Sequence, residues 1–121
     1  IGVCWDQVEL ERYLFKKEEM EFKTYFIVHY DDKCPTHTFL IYKENNKYYW
    51  FEHSWEKYRG IKTFDTEIDA LKDIKEKFIK DELNNKYNSM NLCIYEYSTP
   101  EYGINVLNFY KHCENGKIVI I

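Results

Sequence analysis

Hydrophobic positions change their period several times along the 121 residues, and each change marks a predicted element. From Trp5 to about Met20, Val8, Leu10, Tyr13, Leu14 and Phe15 recur at helical intervals and spread over more than one side, which predicts a helix packed on several faces. FKTYFIVHYDD (22–32) is β-branched and aromatic with no helical period, the pattern of a largely buried strand; KCPT ends it, because Pro35 has no N–H to give a ladder. HTFLIYKENNKYYWFEHSW (37–55) reads as two strands around a turn at Asn45-Asn46. YRGIKTFDT reads as connection. Residues 66–83 carry a stripe of Ile68, Leu71, Ile74 and Phe78 behind Thr66 and Asp69 at capping-box spacing, which predicts a helix. NNKYNS is loop, 90–98 a strand, 104–115 a short helix ended by Gly116, and KIVII a last strand. The expected architecture is α+β: a single domain over 1–121, with an N-terminal helix on a mostly antiparallel sheet and further helices and strands toward the C-terminus.

Composition narrows the function classes. Hydrophobic residues are 45% and charged residues 31%, a globular balance, and the formal net charge of −4 with singly scattered bases opposes nucleic-acid binding. No apolar run is long enough to span a bilayer, so no membrane partner is expected. The lack of a signal-peptide pattern favours the cytoplasm. The chain opens on Ile rather than Met, however, so the reading expects residues upstream and leaves secretion open. Aromatics reach 19%, with 12 Tyr, and suit strands and pocket walls. Cys4, Cys34, Cys93 and Cys113 permit three pairings but show no dense disulfide spacing.

Nucleophilic cysteine chemistry needs a thiolate, a base beside it and a group that orients the base. Cys4 stands where the first helix begins, and a helix N-terminus favours S⁻ over SH; a small buried hydrophobe is the plainer role for such a residue. Four histidines are available as base: His29, His37, His53 and His112. If Asn45 and Asn46 form the turn, residue 44 faces 47 and 43 faces 48, and Phe39 comes opposite Glu52. His37, Phe39, Trp50, Glu52 and Ser54 then share one face, and His53 falls on the other. His37 and Glu52 become diagonal neighbours, within reach of a carboxylate–imidazole hydrogen bond that fixes the tautomer. A strand-end carboxylate adds little to stability, so Glu52→Gln is expected to spare the fold.

GVCWD resembles the nucleophile motif of the transglutaminase-like (papain-like) cysteine hydrolases, and THTFLIYKENNKYYWFEHSW resembles their second motif, a His-bearing strand, a hairpin and an aromatic-rich return ending in an acid. The resemblance covers residues 2–55 and implies Cys4 as nucleophile, His37 as base and Glu52 as orienting acid. It implies that family's core fold and an amide or acyl substrate, a peptide or protein, attacked through a thioester. Three positions depart from the pattern: Glu52 replaces the usual Asp, His53 the usual Pro, and Phe39 a common Trp. The backbone N–H of Cys4 is the natural oxyanion donor, and Gln7, one turn on, is a weak second. No cofactor or metal is expected.

Two other readings compete. Cys34 and His37 are spaced C-x₂-H, and His112-Cys113 could complete a metal site, although adjacent ligands make a poor tetrahedral pair. Alternatively the chain is a non-catalytic peptide- or protein-binding domain, with Tyr48, Trp50, Trp55 and Tyr58 lining a groove.

Overall fold

The computed structural model describes residues 3–52 and 55–121, with the side chains at positions 3 and 4 left out. Among these residues the chain forms α1 (Val3–Lys17), β1 (Glu21–His29), β2 (Thr36–Glu44), β3 (Lys47–Glu52), β4 (Gly60–Phe64), α2 (Glu67–Glu82), β5 (Leu92–Tyr97), α3 (Val106–Glu114) and β6 (Lys117–Val119), with one 3₁₀ turn at Glu56–Tyr58. The six strands make one antiparallel sheet in the order β4-β3-β2-β1-β5-β6. The fold class is therefore α+β.

The β2–β3 hairpin has the expected register, with Glu44 opposite Lys47 and Ile41 opposite Trp50. Its two-residue turn works because Asn45 (φ 52°) and Asn46 (φ 65°) both take the left-handed conformation that a type I′ turn needs and that asparagine tolerates. β4 was read as connection and is a strand. It is a five-residue edge strand entered through Gly60 at φ 126°, too short to display a period of its own.

Both faces of the sheet are covered, which makes three layers. Because side chains alternate, Tyr25 and Ile27 of β1 point to one face and Phe26 and Val28 to the other. On the first face, Ala70, Leu71, Ile74 and Phe78 of α2 pack against Tyr25, Ile27, Phe39, Ile41, Trp50 and Ile94. On the second, Val8 of α1 and Phe109 and Cys113 of α3 pack against Phe26, Val28 and Tyr97.

The faces of the helices differ from the sequence reading. Among its described side chains α1 is packed on one side: Leu10, Tyr13 and Leu14 are exposed, and the buried ones are Val8, Glu11 and Arg12. Arg12 can be buried because it donates to Thr24 Oγ1 at 2.6 Å and to Glu9 at 3.0 Å and lies over the Tyr97 ring. In α2 the stripe runs through Ala70 instead of Ile68, which is exposed, and the Thr66 side chain caps the helix by accepting from the Asp69 N–H at 3.1 Å.

Candidate active site

His37 is the second residue of β2 and Glu52 the last of β3, so the antiparallel hairpin returns them to the same end of the sheet. His37 Nε2 lies 2.8 Å from Glu52 Oε1, and both side chains are buried, at 8% and 3% exposure. The carboxylate holds two further donors. The indole N–H of Trp50 reaches Oε1 at 3.2 Å, and the backbone N–H of Trp55 reaches Oε2 at 2.9 Å. Among the described residues three donors meet the two carboxylate oxygens, an arrangement in which Nε2 of His37 carries the proton it shares with Glu52. The imidazole is walled by Trp55, with ring centroids 4.8 Å apart, and by Phe39 at 6.3 Å. Such a pair can orient a histidine and keep it in one tautomer.

The spacing that pairs His37 with Glu52 was readable in the sequence; the Trp donors were not singled out. Their signal is the E-x-x-W spacing, which leaves the Trp55 N–H within reach of the acid, and the i,i+2 relation that puts Trp50 beside it.

Of the remaining candidates, the backbone of Cys4 belongs to the first turn of α1, while its side chain, like His53 and Ser54, lies outside the described residues. Alternation adds a constraint absent from the sequence reading. His37 sits opposite Ile27, so it shares the face of Phe39, Trp50 and α2, whereas α1 packs on the opposite face. The two are nevertheless close in the field of the site: the buried Glu11 carboxyl of α1 is pushed up to about 8, first by burial, then by the Glu52 charge, with His37 acting in the opposite sense.

The metal set is not assembled. Cys34 packs with the α1/α3 cluster, away from the His37 face; Cys113 is fully buried in that cluster; and half-buried His112 donates to the Ser98 carbonyl at 2.7 Å. Among the described residues no three His, Cys, Asp or Glu side chains are placed to hold a metal ion. Cys34, Cys93 and Cys113 are free thiols. Of the four aromatics expected to line a groove, Trp50 is wholly buried, while Tyr48, Trp55 and Tyr58 are half-buried and pack against the core, Trp55 and Tyr58 edge to face at 4.9 Å. Among the described residues no helix is long and apolar enough to cross a membrane. No protein-family model matches the sequence, and neither a curated protein nor a solved structure matches the chain.

Proposed function

We propose that the chain is a cysteine hydrolase of the transglutaminase-like kind, a peptidase or amidase with Cys4 as nucleophile, His37 as base and Glu52 as orienting acid. The observation that carries this reading is the 2.8 Å His37–Glu52 hydrogen bond, buried and backed by two further donors. The run of α1 lends support. Its first turns pack at the His37 end of the sheet, with Trp5 stacked on Phe109 and Val8 against Val28, while Phe15 reaches Phe22 and Tyr42 at the other end.

In this mechanism His37 takes the thiol proton, and the Cys4 thiolate, favoured by the helix N-terminus, attacks the amide carbon. The C–N bond breaks as His37 returns the proton to the leaving amine. Water, deprotonated in turn by His37, then hydrolyses the thioester and regenerates the thiol. The Cys4 backbone N–H supports the oxyanion.

A second reading rests on sidedness. With His37 on the α2 face and α1 on the other, the pair is a buried tie between β2 and β3 in a domain that binds without catalysing. Limiting iodoacetamide at about pH 6 separates the two, because burial first, and then nearby acids, push the Cys34 and Cys113 thiols up and slow them. Under the enzyme reading Cys4 labels first, and His37→Ala slows it at least tenfold. Labelling of Cys4 indifferent to His37→Ala favours the binding domain. Alternation in the sequence assigns position 53 to the face opposite His37, so a loss on His53→Ala alone would transfer the base to His53.

A further inference from the structure

His29 ends β1 and is 5% exposed. Both its ring nitrogens are engaged: Nδ1 lies 2.7 Å from Asp31 Oδ2, and the backbone N–H of Asn88 donates to Nε2 at 3.2 Å. A backbone N–H only donates, so Nε2 presents its lone pair and the single proton sits on Nδ1, shared with Asp31. The ring is neutral in one tautomer. Asp31 is itself fixed by the N–H groups of Lys33 and Cys34, at 2.8 and 2.7 Å.

Asn88 belongs to the segment 84–91 that links α2 to β5. The segment is anchored at its ends, by Asn85 N–H to Ile79 O at 2.9 Å and by Tyr30 N–H to Asn91 O at 3.0 Å. Between these, Tyr87 and Met90 are exposed, and the Asn88 amide is its tie to the sheet through His29. The segment contributes residues to the lining of two cavities. One, of about 300 Å³, is lined by Asp31, Lys33, Glu82 and Lys86; the other, of about 270 Å³, by Lys75, Ser89 and Leu92.

We infer that His29 is a pH-operated latch on the 84–91 segment, holding the Asn88 amide when neutral and releasing it when protonated. A proton taken from solvent onto Nε2 turns that acceptor into a donor facing a donor, and the hydrogen bond to Asn88 is lost. Asp31 keeps hold of the imidazolium on the other side, so the ring stays and the segment moves. Asp31 is the charged group hydrogen-bonded to the ring; it also lines the first cavity together with Lys33, Glu82 of α2 and Lys86 of the segment, while β5 places neutral Leu92 opposite His29.

Amide exchange on the whole chain between pH 8 and 5, corrected for the intrinsic rate, tests this beside NMR titration of the His29 ring. Protection of Asn88 should fall at least tenfold with the midpoint of His29 itself, while Ile27 and Phe39 keep theirs. Asp31→Asn removes the counter-charge that holds the imidazolium, so the fall in Asn88 protection should move to lower pH. His29→Gln, which offers an acceptor that does not titrate, should leave protection flat with pH; if it does not fold, the Asp31→Asn shift decides. Asn88 protection that ignores the His29 titration, or an Asp31→Asn midpoint that does not move, overturns the latch.

Discussion

Glu52 serves three donors with two oxygens, which makes it the most heavily committed side chain of the site. Glu52→Gln replaces one accepting oxygen with an NH₂ that must face either the His37 N–H or the Trp55 N–H. Charge-assisted hydrogen bonds to a buried acid contribute about 1.5–3 kcal/mol each, so the variant should melt several degrees below the parent. This reverses the expectation that the fold is spared, because the carboxylate is buried and bound instead of solvated. Under the enzyme reading the same variant should slow Cys4 alkylation at pH 6 by tenfold or more. A Glu52→Gln protein that melts like the parent would show these donors to be idle. The pair was legible because a two-residue turn fixes every opposition outward from it. Glu11 was not, since a charged residue on a helix ordinarily reads as its solvated side, and only the packed sheet shows it turned inward.

Short elements depend on particular contacts. Thr66 caps α2, so Thr66→Ala should cost about 1 kcal/mol, visible as a lower denaturation midpoint with an unchanged denaturant slope. Gly116, between α3 and β6, tolerates nothing larger: a Cβ there would lie 2.3 Å from the Glu96 carbonyl oxygen and 3.0 Å from that of Cys113. Gly116→Ala should therefore destabilise more than Thr66→Ala, in the same denaturation series. Elements with a strong period, such as α2, and those with a decisive turn, such as β2–β3, were readable from the chain alone. β4 was not, because an edge strand of five residues is defined by its partner, here β3, more than by its own pattern.

At the scale of the molecule, burying Glu11 ties stability to pH. Burial raises its carboxyl from the ordinary 4.5 to about 8, so the folded state binds a proton that the unfolded chain gives up between those values. Its contribution is fully present below about pH 4.5 and is lost as the pH rises through about 8. Glu11→Gln cannot ionise. Melting parent and variant side by side should show the variant gaining steadily on the parent from pH 5 to 8.5, and a constant difference between them would remove Glu11 from the account. The α+β class and antiparallel sheet were legible from the order of periods. The assignment of helices to faces was not, because helix periodicity shows which side is apolar but not which side of a sheet it meets.

The position of β1 inside the sheet has a consequence for how the chain comes to be folded. β1 is synthesised early, yet one of its two neighbours, β5, begins only at Leu92, and the Thr24 hydroxyl waits for the carbonyl of Tyr97. Until β5 has followed it from the ribosome, the strand with the most buried residues in the sheet has one edge bare. Native contacts that span such long separations form slowly, on the scale of milliseconds to seconds, and leave an unpaired strand open to other chains meanwhile. A fragment of residues 1–86 keeps the hairpin, α1 and α2 but lacks β5 and α3, and should bind a hydrophobic dye and resist concentration where the whole chain does neither. The strands before β5 thus have to be sheltered until β5 arrives.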